Sequence, residues 1–376
     1  MKKISFVFLL FYFLVYSGFG QKANWEKVSM KYIQLPLKPV RPLAKNYTMD
    51  IILDAEGIQQ GIIQSRQELV TSITKTNQIL ARQGKPQQVI PEDDSYYALI
   101  RESDDIKSLI KLEGCQEVSA NYEFSIVVKV VGYNLINVTL KQSNTTVNGV
   151  TTPNYSYVVS AEYIVRFEVY DELNSLVRKE VVQRTSTPTT KTTKTFPTQI
   201  ELETYWNTIV NRTTFLNQMD NELHNRAIQS TREQLNSELG YPTLERRIEL
   251  ATFDDTKQYN YKELRQAFSD ASVGFNYMLT DKSKAFDYLR KAVTVWEKVV
   301  AEANPESKKA RINGNIQQAL WINIAKAYFF LEEWDKTNDY IIRLKAADKS
   351  GNVKRKLEEV ENFKEDYEAR IKANKI

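Results

Sequence analysis

The residues able to do chemistry are few and scattered. The chain has one histidine, His224 in "NELHNRA", and one cysteine, Cys115. A Ser-His-Asp triad, a zinc hydrolase or a two-histidine metal site needs several such groups to converge. A single imidazole supports none of them, and His224 is expected on the surface of a helix. Cys115 has no partner for an intramolecular disulfide, so packing alone must stabilise the fold. Adjacent acids occur at Asp93-Asp94, Asp104-Asp105 and Asp254-Asp255. Two carboxylates can act as acid and base in glycoside hydrolysis, which would make the chain a carboxylate-dependent hydrolase. Neighbouring acids more commonly form turns and helix starts. No glycine-rich phosphate loop or dinucleotide fingerprint is present. The expectation is a protein without catalytic residues, cofactor or metal.

The N-terminus predicts export. Lys2 and Lys3 precede an apolar run from Ile4 to Tyr16, and small residues follow at Gly18 and Gly20. This is the layout of a signal peptide over 1–20, with cleavage expected between Gly20 and Gln21. Cys115 lies far from that junction, so the chain is not expected to be a lipoprotein. No later stretch is apolar for long enough to cross a bilayer, so no membrane span is expected after cleavage. Of 51 basic residues the leader takes Lys2 and Lys3, leaving 49 against 47 acids, a net charge of +2. That balance does not point to nucleic acid as a partner. At 376 residues the chain is long enough for two domains.

The elements that must position these residues fall into two halves, an α+β fold. Residues 21–184 read as a mixed α/β domain with antiparallel strands. "KYIQLPLKPVRPL" suits an extended edge segment, and Tyr47, Met49, Ile51 and Leu53 alternate with the period of a half-buried strand. A partial apolar stripe predicts a helix from Ile58 to Ala81, and a second, short one is predicted over Tyr96 to Leu112. Strands are predicted within 121–140, 155–170 and 176–183, the last two joined by a hairpin at 171–175. The Thr-rich stretch 185–198 reads as a linker or loop, with an edge strand as the other possibility.

Residues 199–376 read as a helical domain. Thr198 and Glu201 have capping-box spacing. A helix is expected to run to about 239 and end on Gly240 in a left-handed cap, and "RRIELATF" alternates like a strand that returns to the sheet of the first half. Phe286, Leu289, Val293, Trp296 and Val300 share one helix face. Val353, Leu357, Val360, Phe363, Tyr367 and Ile371 share another, which suits a helix covering the end of a stack.

Between them, Trp321, Ile324, Ala325 and Tyr328 fall at helical spacing, and Trp334 opens the next helix. This spacing resembles the first helix of a tetratricopeptide repeat, with Ala325 at the small position that lets a partner helix approach. Ala292, Trp296 and Val299 resemble a second helix one repeat earlier. The resemblance covers about 281–348. It implies helix hairpins in which Trp296, Trp321, Ile324, Ala325, Tyr328 and Trp334 pack the stack, while Phe329 and Phe330 are expected to be partly exposed. Together with the leader, it points to a scaffold or binding protein of the bacterial envelope, in the periplasm first and extracellular as the second possibility, taking a partner protein in a helical-repeat groove. The alternative is a secreted glycan-binding or glycan-active protein that uses its 21 Tyr and 5 Trp as stacking surfaces.

Overall fold

The computed structural model describes residues 23–54, 67, 70–71, 73–87, 101–182, 188–347 and 351–375. The leader with its junction at Gly20 and Gln21, the pair Asp93-Asp94, about half of the helix expected over 58–81 and residues 96–100 of the second helix lie outside these residues; of the second helix, expected over 96–112, the described part is helical over Ser103–Leu109. The fold is α+β, with mixed and antiparallel sheets followed by packed helices. The chain divides into two compact units, one formed by Leu35–Pro242 and the other by the N-terminal strand together with Thr243–Lys372.

The first of these units is built on a six-stranded sheet. Strands β2 (Asn46–Leu53) and β3 (Gln116–Glu117) are parallel, and β2 is also parallel to β4 (Phe124–Val147). The short helix α1 (Ser103–Leu109), in the crossover between β2 and β4, packs against β2. β4 then pairs antiparallel with β5 (Val150–Asp171), and β5 pairs with β6 (Leu176–Val181) and β7 (Thr189–Thr192). The hairpin expected at 171–175 forms, with Asp171 Oδ1 accepting from the amides of Leu173 and Ser175 at 2.9 and 2.8 Å. The alternation read from sequence stops near Leu140, whereas the strand runs on to Val147 and turns at Asn148-Gly149. Both turn residues have positive φ, 51° and 79°, which suits the Asn-Gly pair of a two-residue hairpin.

Two further helices among the described residues pack on this sheet. Thr198 caps α2 (Gln199–Asn207), its hydroxyl accepting from Glu201 N at 3.2 Å. Helix α3 (Ile209–Glu238) follows, and Phe215, Leu216, Met219, Leu223, Ala227, Ile228 and Leu235 share one core with the β4 and β5 side chains. This corrects the division expected from sequence. Thr189–Thr192 is a strand paired with β5 alone, the edge-strand alternative for that stretch, and residues 199–239 belong with the β-rich half because their apolar stripe is buried on it. Gly240 is also not a left-handed cap. A Cβ there would meet Asn236 Oδ1 at 2.7 Å, so close packing is what demands glycine.

In the second unit, β1 (Asn24–Ile33) pairs antiparallel with β8 (Thr243–Thr252) as a separate two-stranded ribbon. β8 is the strand read in "RRIELATF", but its mate is β1 and not the six-stranded sheet. Four helices follow as two hairpins: α4 (Lys262–Tyr277) with α5 (Lys282–Val300), and α6 (Gly314–Phe330) with α7 (Trp334–Ala346). Asp281 caps α5 through Lys284 N at 3.0 Å, and Asn313 caps α6 through the amides of Asn315 and Ile316, both 3.1 Å. The final helix α8 (Gly351–Ala373) lays Val353, Leu357 and Val360 against Ile322, Ile341 and Leu344. Helix α6 lies at the centre, with thirteen of its seventeen residues buried, so it has no solvent stripe of its own.

The α4–α5 hairpin closes on a glycine. A Cβ at Gly274 would stand 3.0 Å from the Ala285 carbonyl oxygen and 3.0 Å from Leu289 Cγ. Gly274→Val should therefore push these helices apart and lower stability by about 2 kcal/mol, the usual cost of overpacking. Urea unfolding followed by tryptophan fluorescence checks this, and an unchanged midpoint would show that the helices can separate freely.

Candidate functional site

The polar chemistry of the helical unit gathers where β8 meets α6. Successive strand residues turn their amides and carbonyls to opposite sides, so β8 can pair with β1 on one edge only. Its other edge needs donors and acceptors from elsewhere. Asn323, fully buried, supplies both. Its Oδ1 accepts from Ala251 N at 2.7 Å, and its Nδ2 donates to the Ala251 carbonyl at 2.9 Å. One turn along α6, Lys326 Nζ donates to the Glu249 carbonyl at 2.8 Å. The carboxamide thus reads an extended backbone as a neighbouring strand would.

Charges surround this clamp. Lys356, 2 % exposed, pairs with the Glu249 carboxylate and lies 5.6 Å from the Trp25 ring centroid. Glu359 lies 3.8 Å from Lys326 and 3.9 Å from Lys356. Burial pushes the Lys326 ammonium down to about 8, with Arg246 adding to the shift and Glu359 opposing it. Burial lowers Lys356 as well. Both shifts follow from moving a cation out of water. Arg246 stacks on Phe363, 3.7 Å from the ring centroid.

The packing residues read from sequence lie around the clamp. Trp296, Ile324 and Ala325 are fully buried, Tyr328 is 5 % exposed, and Trp321 and Trp334 are half-buried. The hydroxyls of Tyr328 and Tyr340 both donate to Glu297 Oε1, at 2.7 and 3.0 Å. Phe329 and Phe330 are not the exposed pair expected of them. Both are buried because α6 has packed neighbours on opposite sides. Phe329 contacts Trp334, Phe363 and Tyr367 with centroids 4.9 to 5.3 Å away, and Phe330 contacts Phe275 at 5.3 Å.

The other unit holds a second polar group, one that sequence reading placed on a helix surface. His224 is 6 % exposed, and its Nδ1 is hydrogen-bonded to the Tyr163 hydroxyl at 2.9 Å. The signal was available: Leu223, Ala227 and Ile228 flank His224 on the buried stripe of α3. Asp220 lies one turn earlier, 3.5 Å from Arg101, which also donates to Asn221 Oδ1 at 2.9 Å. Burial raises the Asp220 carboxyl to about 6 against the pull of Arg101. Burial lowers His224 to about 4, and Arg101 adds to that shift.

Among the described residues, the remaining chemical candidates do not assemble. Asp104 and Asp105 lie in the first turn of α1. Asp255 is held by Arg265 at 2.6 and 2.8 Å and accepts from Tyr261 N, while Asp254 accepts from Asn24. Cys115 is half-buried, and burial raises its thiol to about 11, which makes it a poor nucleophile. Among the described residues, no three His, Cys, Asp or Glu side chains are grouped to hold a metal ion, and no helix is long and apolar enough to cross a membrane. Comparison with known protein families and with curated proteins finds no match.

Two measurements follow. Asn323→Leu removes both bonds to Ala251 and leaves a buried amide and carbonyl unanswered, which should cost about 2–4 kcal/mol in urea unfolding. A loss below about 0.5 kcal/mol would show that the edge finds other partners. In the second, the folded pKa of His224 lies below its unfolded value, so its contribution to stability is lost as pH falls from 6.5 through about 4. Asp220 acts oppositely: its carboxyl is raised, so stability is lost as pH rises from about 3.8 through about 6, and its ionised form weakens the fold fully above that. The lone imidazole should titrate by NMR near 4. Asp220→Asn should stabilise the protein at pH 8 by on the order of 2 kcal/mol, with the gain vanishing near pH 4. An imidazole titrating near 6.5 would contradict the buried placement.

Proposed function

We propose that this chain is an exported, non-catalytic scaffold or binding protein of the bacterial cell envelope whose helical unit recognises a partner protein. The bidentate bond from Asn323 to Ala251 carries the reading: this stack holds an extended segment by its backbone, through an amide on the inner helix of a hairpin. The tetratricopeptide-like reading of 281–348 gains support upstream. Gly274 packs on Ala285 and Leu289 as the small residue of a first helix packs on a second, which extends the resemblance to α4.

The face of α4 and α6 that would serve as the groove is already covered by the chain's own ribbon, β1 with β8. A hollow of about 230 Å³ stays open at the Ile33 end of that ribbon. Tyr32, Met278, Leu279, Phe329, Phe330 and Tyr367 line it, and the Lys282–Glu332 pair at 2.8 Å stands at its edge. Ile33 is 53 % exposed and Leu279 37 %. An apolar anchor from a partner fits there, with charged residues at the rim, the pattern of an interface hot spot. A glycan-stacking reading gains nothing, since each of the five Trp is buried or half-buried.

The test pairs the full chain with an Ile33→Asp, Leu279→Asp variant on an envelope extract, with circular dichroism confirming equal folding. The wild type should enrich a defined protein that the variant retains about tenfold less well. Equal retention by both, or substrate turnover by the purified protein, would count against the proposal.

A further inference from the structure

The Asn323 clamp also sets which way β1 faces. Ala251 gives its amide and its carbonyl to Asn323, and Glu249 gives its carbonyl to Lys326. In an antiparallel ladder, residues that point these groups away from the shared edge sit in the non-hydrogen-bonded pairs. Ala251 stands opposite Trp25 and Glu249 opposite Lys27, in a register unbroken from Asn24 to Ile33. The alternation therefore carries along the whole strand. Glu26, Val28, Met30 and Tyr32 bond to β8, whereas Trp25, Lys27, Ser29, Lys31 and Ile33 turn their amides and carbonyls outward. Among the described residues no other strand pairs with β1, and no hydrogen bond reaches these outward groups.

That edge is open and positively charged. Lys27, Ser29, Lys31 and Ile33 are exposed. Their side chains share one side of the ribbon, where the carboxylates are already engaged. Glu249 holds Lys356, and Glu245 accepts from Ser29 Oγ at 2.7 Å. Lys27 makes only a solvated contact with Glu249 at 3.7 Å, and Lys31 forms no ion pair among the described residues. Lysines on an edge strand keep other edges from adding to it, and they leave it free for a strand that brings acids. On the other side of the ribbon Val28 and Met30 are buried, and the hollow of about 230 Å³ opens beside Tyr32.

We propose that the outer edge of β1 receives an extended acidic segment of a partner protein as a third, antiparallel strand, its carboxylates opposite Lys27 and Lys31 and an apolar side chain in the hollow beside Tyr32. The inference rests on the partner-binding reading and names the chemistry of that partner. Main-chain bonds to the outward amides and carbonyls give such a strand its hold, and alternate side chains give it its selectivity. Residues opposite Lys27 and Lys31 lie on the charged side and attract acids. The residues between them turn to the side of Val28 and Met30, where apolar groups are favoured. A second copy of this chain is a poorer occupant, because antiparallel pairing centred on Ser29 would set lysine against lysine on both sides of the centre.

Amide hydrogen exchange of the full chain, read residue by residue by NMR, tests the edge directly. In the free protein the amides of Val28 and Met30 should exchange slowly and those of Lys27, Ser29 and Lys31 fast. The probe is an acetylated, amidated peptide, Thr-Leu-Glu-Val-Thr-Val-Glu-Leu-Thr. It should bind saturably and slow the three outward amides about tenfold or more. N-methylation of its two glutamates and central threonine should abolish that protection, since those amides face β1. Lys31→Glu should weaken the peptide several-fold and favour its lysine-for-glutamate counterpart. Lys31 is exposed, so equal urea midpoints can verify the variant's fold. Outward amides already slow in the free chain, no added protection up to roughly 1 mM peptide, or protection that survives N-methylation overturns the proposal. The purified chain and a synthetic peptide suffice for this test. Absent protection therefore sinks the edge even where the envelope extract yields a partner, and protection upholds it where the extract yields none.

Discussion

An extended strand presents backbone donors and acceptors on both of its edges, and in a two-stranded ribbon half of them have no strand to meet. The helical unit depends on how that shortage is met along β8. Asn323 takes both polar groups of Ala251, and Lys326 takes the carbonyl of Glu249. These bonds anchor β8 to the central helix and let Ile248 and Leu250 enter the same core as Leu320, Ile324 and Tyr328. The rest of the unit is arranged around that attachment. Helix α6 can be apolar almost all round because the ribbon joins α5, α7 and α8 in covering it.

The arrangement brings charge into places where charge is expensive. Lys326 and Lys356 are nearly inaccessible, and each depends on Glu249 or Glu359 for compensation. A buried pair seldom adds net stability over apolar residues, but losing one member leaves the other stranded. The cluster therefore acts as a registration device: β8, α6 and α8 must meet in one alignment for every charge to find its partner. The sheet-based unit uses the same logic at lower charge, with Tyr163, His224, Asp220 and Arg101 fixing α3 against β5.

What could be read from sequence was local. Helices α5 to α8 and strands β2, β5 and β6 follow from periodicity, because each buries one face against a neighbour. The packing role of Ala325 follows from the need for a small side chain at a helix crossing. Three kinds of information were missed. The Asn148-Gly149 turn was local, but the strands it joins are solvated on both faces near their ends, so alternation fades there. The burial of His224 was written in its neighbours Leu223, Ala227 and Ile228, but a polar residue within an apolar stripe reads as an interruption. The pairing of β8 with β1 was beyond local reading, since the partners lie more than two hundred residues apart. The clamp was hidden for the same reason: nothing near Asn323 in sequence announces Ala251.

That long separation has a consequence for how the molecule is made. The helical unit is discontinuous, opened after β1 and resumed at β8, with the whole sheet-based unit inserted between. A ribosome releases β1 early, and at ordinary rates of synthesis the mate follows ten seconds or more later. In that interval Val28 and Met30 have no core to enter, and the loop still to be closed carries a heavy entropic charge. The inserted unit, complete in its own contacts, can fold first and bring the distant segments closer together. Assembly order is thus written into the topology: the first strand made is among the last to find its place.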